Sequence, residues 1–351
     1  MSVHEASAAK RRTPVSRRVQ MVMPSVLLAA MLVTFLVLPQ FSNREPSIFN
    51  VYNAFQLWAA YGLVALGVGL TMIAREFDFG VLGVFAFCPM IAVKLGEYDT
   101  LLGFVVAIAV AAAVGFLQGF LVARLRLHSM PVTLGFYIAL LGATITISNS
   151  QSVSFSNLDL GFALDADMFE ILSWRSIIAI AVFALVFLVM RYTPLGRDIR
   201  AIGGDRRASR MVGVEVDRVL IIVFMTSAVC SALGGVLLAY SFATALSDPG
   251  LTPLKFAVTA AILGGVSLVG GIGSVVGIAI GALTLSLLQE LFSILAAPTY
   301  VSSLVTGALL VLATIVAAPG LAARYKSFRS PRAGSTGAVA APSRRLPDTS
   351  Q

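Results

Sequence analysis

The sequence predicts an all-α, polytopic membrane protein of about ten transmembrane helices with cytoplasmic N- and C-termini, and three observations carry that prediction. Hydrophobic residues form 58% of the 351 residues and charged ones 12%, with a mean hydropathy of +0.91, a balance that a water-soluble domain of this length does not show. Apolar runs recur along the chain at lengths suited to about 30 Å of hydrocarbon. The 25 Lys and Arg are sorted between alternate connections, 21 on one side against Arg44, Lys94, Arg175 and Lys255 on the other. The positive-inside rule then makes the rich side cytoplasmic and the number of spans even.

Residues 1–18 carry Lys10, Arg11, Arg12, Arg17 and Arg18 without apolar periodicity, which predicts a disordered basic cytoplasmic tail. The first span follows at 19–38. A cleaved signal peptide would have an apolar core of about 7 to 15 residues ending at small residues, whereas this run ends in Val-Leu-Pro-Gln. Further spans are expected at 53–74, 79–96, 101–123, 131–149, 173–190, 219–241, 256–271, 274–295 and 301–319, all within one transmembrane domain, 19–320. The stretch 321–351, rich in Ser, Pro, Ala and Arg, has no core-forming pattern and reads as a second disordered tail.

Between the second and third runs, Met72 to Gly83 places Arg75, Glu76, Asp78 and two glycines against hydrocarbon. Such charge is tolerated only in an aqueous hairpin or in an interrupted helix buried in protein, and Asp78 is the residue that gives the second option interest. On the fourth run Gly115 and Gly119 form a small-xxx-small pair for close helix approach, and Gln118 beside them can bond across that contact or line a polar path. His128 reads as a loop residue. The connection 150–170 is acidic, either a solvated linker or a landing surface for an extracytoplasmic protein.

The long polar connection 191–218 holds seven of the 21 arginines. Asp205 can accept backbone N–H bonds at a helix start, Arg206 to Val212 follow without a breaker, and Gly213 supplies a left-handed stop. The reading is a short, capped, basic helix on an aqueous face, a docking element if it is more than a solvated loop. Farther on, Ala260 to Leu283 is glycine-rich. Gly273, Gly277 and Gly281 recur every four residues and predict one smooth packing stripe on a helix. A dinucleotide-binding fingerprint is excluded there, because the required strand and the following acidic residue are missing. The two interrupted regions, around Asp78 and around Ser267, are the pattern that marks a transporter pathway, so Asp78, Gln118 and Ser267 are its candidate residues.

Several classes are disfavoured. Cys88 and Cys230 both fall in apolar runs, so neither a disulfide framework nor a metal site is expected. The net charge of +8 resides in connections and termini, where it reads as a topology signal rather than nucleic-acid binding. No H-E-x-x-H or G-x-S-x-G string is present, which speaks against an intramembrane enzyme. Beyond Asp78 and Glu290 the spans hold little to relay a proton or sodium ion, which speaks against an ion-coupled secondary transporter.

Four strings together resemble the integral-membrane permeases of ATP-binding cassette importers, in the ribose-type branch that also includes branched-chain amino-acid permeases. They are FDFGVLG (Phe77–Gly83), VTLGFYIALLG (Val132–Gly142), TPLGRDIRAIGGDRRASRMVGVEVDR (Thr193–Arg218) and ILGGVSLVGGIGS (Ile262–Ser274). The chain departs from the family pattern at Arg75 and Glu76, where a Gly-Gly pair is usual, at Gly80, where serine is usual, and at Gly271-Ile272-Gly273, often Gly-Arg-Gly. The resemblance implies a multi-pass subunit of the bacterial inner membrane that imports a small polar solute, a monosaccharide or related polyol before a branched-chain amino acid. It implies that the 191–218 loop docks a cytoplasmic ATPase subunit, with Gly203, Gly204, Asp205, Arg206, Arg207, Ala208 and Gly213 at the contact. It also implies a second permease chain, identical or related, and a periplasmic solute-binding protein. No G-x-x-x-x-G-K-[ST] string occurs, so ATP and Mg are expected on the partner and no cofactor or metal in this chain.

Overall fold

The computed structural model describes residues 14–42, 46–168 and 170–317. The tail assigned to 321–351 and most of that assigned to 1–18 lie outside them. Helix α1 starts at Pro14, inside the stretch assigned to the N-terminal tail, and runs to Val37; proline suits a first turn because its missing N–H has no partner there. The other long helices are α2 (Ile48–Ile73), α3 (Gly80–Gly96), α4 (Thr100–Ala123), α5 (Ser129–Ser148), α7 (Trp174–Tyr192), α10 (Val216–Ser241), α11 (Thr252–Leu263), α12 (Val275–Ile294) and α13 (Thr299–Ala317). Three short ones, α6 (Leu158–Asp165), α8 (Pro194–Gly204) and α9 (Arg206–Met211), lie in connections. Four two-residue strands pair antiparallel: β1 (Val153–Ser154) with β4 (Thr244–Ala245), and β2 (Asp167–Met168) with β3 (Leu172–Ser173).

Seven of these helices are long and apolar enough to cross a membrane, and three shorter apolar ones accompany them. Each predicted run contains one. The run 256–271 is corrected: α11 ends at Leu263, and 264–274 is a loop carrying Gly265, Gly270, Gly271 and Gly273 at positive φ. Glycine without a Cβ adopts those angles freely, so the sequence that looked like a continuous span instead turns. Twelve residues at 1.5 Å each make α11 only about 18 Å long, so it is embedded in protein, with Phe256, Ala257, Ala260 and Ala261 all at 0–1% exposure. Gly273 is corrected too. It precedes the Ser274 cap of α12 and is no part of a helical stripe.

The centre is α2, buried on almost every side and packed against α10, α11, α12 and α7. Lipid tails are as apolar as leucine, so burial alone does not drive helices together there; close van der Waals approach at small residues does. A Cβ on Gly67 would meet the Ser227 carbonyl oxygen at 2.8 Å, and one on Gly69 would meet Ile278 at 2.4 Å. The α4–α10 contact uses the same device. There Gly115 and Gly119 lie where a Cβ would come within 2.6 Å of the Met225 and Ile221 Cα atoms. Gly277 and Gly281 of α12 lie against the Gly264 and Ala260 carbonyls, at 2.1 and 2.2 Å from a hypothetical Cβ.

Contacts between connections sort them into two ends of the bundle. One end joins 74–79, 124–128, 193–215 and 264–274, as in the Phe77 N–H bond to Ser129 (3.2 Å) and the Gly271 N–H bond to the Ile73 carbonyl (2.8 Å). The other joins 97–99, 149–173 and 242–251, through the β1–β4 pair and through Ser156, which donates from its backbone to Glu97 at 2.7 Å.

Candidate functional site

The polar connection between α7 and α10 folds as two helices rather than one. Pro194 opens α8, and Gly196 lets it turn against the end of α7, since a Cβ there would lie 2.2 Å from the Met190 carbonyl oxygen. Ile199 and Ile202 bury one face of α8. Asp205 then caps α9, accepting from the Arg207 and Ala208 backbone N–H groups at 2.8 and 3.0 Å. Those bonds hold its carboxyl below the ordinary carboxylate range. Gly213, at φ +89°, ends the segment. The exposed side of this unit presents Gly204, Asp205, Arg207, Ala208, Arg210 and Gly213. It also presents Met211 and Val212, 82% and 80% exposed, an apolar pair within a basic surface that charge patterning had hidden.

The underside is main chain packed on main chain. A Cβ on Gly203 would fall 1.9 Å from the Ile73 carbonyl oxygen and 2.5 Å from the Gly271 nitrogen, so α8, the end of α2 and the 264–274 loop converge on one glycine. Gly204, one residue on, has no atom within 4 Å of the same position. Arg206 points inward and pairs with Glu76 at 3.0 Å, tying α9 to the α2–α3 connection. Burial raises the Glu76 carboxyl above its ordinary value, while the Ser129 hydroxyl and the Arg206 charge pull it back. Arg75 in the same connection has φ +66°, the left-handed region where the family pattern has glycine.

Two residues farther, Asp78 is fully buried. Its Oδ1 accepts from the Gly80 N–H at 2.9 Å and its Oδ2 from the Ser227 hydroxyl at 2.8 Å. The carboxylate thus caps α3 and cross-links it to the middle of α10. These two bonds, with those from the Phe77 and Phe79 N–H groups to the Ser129 and Thr133 hydroxyls, order the interrupted α2–α3 segment, because an unmet N–H in that setting costs several kcal/mol, roughly as in lipid. Gln118 is also fully buried, next to Gly80: a Cβ on Gly80 would touch its Nε2 at 2.0 Å. Neither polar atom of the Gln118 amide has a partner among the described residues. Ser267 is not part of this junction. Its hydroxyl accepts from the Val269 N–H within the 264–274 loop, at the end of the bundle where Arg75 and Gly203 meet.

At the opposite end a polar network closes the bundle that composition alone had not exposed. Arg175, counted in the sequence as an outer basic residue, is 3% exposed and pairs with Asp165 at 3.2 Å and with the Gln56 amide oxygen at 2.8 Å. The Ser173 hydroxyl donates to the same oxygen at 2.9 Å. Tyr52 donates to the Asp165 carbonyl at 2.5 Å, and Ser241 donates to the Asp165 carboxylate. The acidic 150–170 connection is therefore folded down onto α2, α7 and α10. Among the described residues no group of three or more His, Cys, Asp and Glu is placed to hold a metal ion.

The ribose import permease protein of Escherichia coli is 29% identical over 302 residues, which are 82% of this chain and 92% of that protein. The L-arabinose ABC transporter permease protein of Azospirillum brasilense is 31% identical over 261 residues, 72% of this chain and 75% of that protein. The D-allose transport system permease protein of Escherichia coli is 29% identical over 286 residues, 78% and 86%. No solved structure matches the chain. The family model described as branched-chain amino acid transport system, permease component, matches residues 47–314, from the start of α2 into the last turns of α13. The chain is a multi-pass membrane protein that belongs to this permease family.

Proposed function

We propose that the chain is the membrane-spanning permease subunit of an ATP-binding cassette importer for a monosaccharide or closely related polyol. The observation that carries the reading is the set of long matches, each over 72% or more of this chain, to permeases named for ribose, L-arabinose and D-allose. In this reading all ten apolar helices cross or enter the bacterial inner membrane. The end bearing α8 and α9 is cytoplasmic, as its basic residues require, and the end bearing 149–173 faces the periplasm.

The work is divided among chains. The α8–α9 surface sits on a separate ATPase subunit that binds ATP and Mg, a second permease chain completes the path, and a periplasmic binding protein delivers the solute. When the ATPase pair closes, α9 is carried with it. Arg206 and Gly203 pass the displacement to the α2–α3 connection and the 264–274 loop, and the bundle alternates between its two ends. Asp78, in this account, is a hinge cap rather than a solute ligand.

The test is uptake of labelled ribose, arabinose, allose and leucine by proteoliposomes containing the complete complex, with the binding protein outside and ATP inside. Sugar uptake dependent on ATP is expected. Uptake of leucine alone, or accumulation by the permease without an ATPase subunit, overturns the proposal.

A further inference from the structure

A cleft of about 640 Å³ opens between α11, α12 and α13 at the end of the bundle that carries the 242–251 connection. Its volume falls within the range of about 300 to 1,000 Å³ usual for small-molecule sites. Lys255, Gln289, Ser302, Ser303 and Thr306 line it, together with the ring of Phe292. None of these five polar side chains makes a hydrogen bond or ion pair among the described residues. Glu290, next to Gln289, is turned away and accepts from Asn50 at 2.8 Å.

Polar groups between apolar helices are costly unless something polar meets them. Lys255 and Ser303 are exposed and Gln289, Ser302 and Thr306 half-buried, so the cleft offers an ammonium group, an amide and three hydroxyls to water or a polar solute. Of the buried candidates, Asp78 is committed to capping α3 and Ser267 to its own loop, while the unpartnered Gln118 amide is buried against Gly80, away from this cleft. We infer that this α11–α12–α13 cleft is a segment of the solute path and that its lining selects an uncharged polyol; the inference rests on the importer reading and adds the place and the chemistry.

The lining bears on the solute class. Lys255 would pair with the carboxylate of a zwitterionic amino acid, but no carboxylate faces the cleft to meet its ammonium group, which would find only neutral oxygens. Sugar hydroxyls, by contrast, can accept from the lysine, exchange bonds with the amide and the serine and threonine hydroxyls, and lay an apolar ring face against Phe292.

Cysteine accessibility tests this in the complete transporter, with binding protein and ATPase subunit, in proteoliposomes. The native Cys88 and Cys230 are 0% and 2% exposed, so background labelling is low. Ser302→Cys and Thr306→Cys are expected to react with a membrane-impermeant thiosulfonate from the binding-protein side. The rate should change by about tenfold or more between nucleotide-free and trapped-ATP states, as a shift between two access states requires. Labelling should stop uptake, and Gln289→Leu should slow sugar uptake while basal ATP hydrolysis is kept. Reaction only with membrane-permeant reagents marks a lipid-filled cleft and overturns the inference. So does full uptake after labelling. If the unmodified complex moves leucine instead of sugar, the importer reading for sugars fails, and nucleotide-dependent labelling still reports on the path separately.

Discussion

Arg206, the first residue of α9, is ion-paired at 3.0 Å with Glu76 in the connection between α2 and α3, so the exposed basic surface and the buried Asp78 cap are two residues apart through one side-chain pair. The pair is unequal: Glu76 is 11% exposed and Arg206 37%. Glu76 therefore bears most of the desolvation.

The pH dependence of this pair has a definite sign. Glu76 has its folded-state pKa raised above the ordinary 4.5, so what it contributes to stability is fully present below that value and lost as pH rises through the raised one. Glu76→Gln is expected to unfold at a higher temperature than the native chain at pH 8. The gain should disappear below pH 4.5, where glutamate is protonated in both states. Arg206→Leu should act oppositely at pH 8, costing about 1 kcal/mol because the arginine is partly solvated. Thermal unfolding in detergent across pH measures both, and an unchanged Glu76→Gln profile refutes the assignment.

Adjacent glycines should respond differently. Gly203→Ala drives a methyl into the Ile73 carbonyl and should lower expression and unfolding temperature. Gly204→Trp meets open space and should leave the isolated permease as stable as before, yet abolish ATPase stimulation by the assembled complex. Arg207→Glu is expected to do the same by reversing a surface charge. Stability of the permease and nucleotide hydrolysis of the complex, measured in parallel, separate the two effects.

The Asp78 cap makes a graded prediction. Asp78→Ala leaves the Gly80 N–H and the Ser227 hydroxyl without their acceptor and should cost about 2 to 3 kcal/mol, while Asp78→Asn keeps one acceptor and loses less. Equal loss in both variants would indicate that the charge, rather than the bonding, is what matters there.

At the other end, Arg175→Ala removes the partner of Asp165 and of Gln56. The 158–173 segment is then expected to become sensitive to protease added from that side, with the helical content unchanged. Continued resistance would mean that the Tyr52 and Ser241 bonds suffice to hold it.

Most of the helices were legible in the sequence because lipid-crossing runs and capping signals are local. Asp205 and Gly213 are examples, each read correctly from its own neighbourhood. The failures share a cause. The loop at 264–274 is as apolar as a helix, and only the positive φ angles of its glycines, which hydropathy does not register, turn it. Helix α8 was missed because its signal is periodicity rather than hydropathy: Leu195, Ile199 and Ile202 stand at i, i+4 and i+7 among charged residues that make the stretch polar on average. The union of Arg175 with Gln56 spans 119 positions, and no local pattern encodes a bond of that separation.

The two faces of α8 and α9 are built from different materials, backbone beneath at Gly203 and Gly271 and exposed side chains above at Arg207, Ala208, Met211 and Val212. Mutation can therefore rewrite the upper surface without disturbing the lower one. Duplicated transport systems in one cell could in this way drift into mutually exclusive pairings, each permease keeping its own engine, while the scaffold that carries the cargo stays the same.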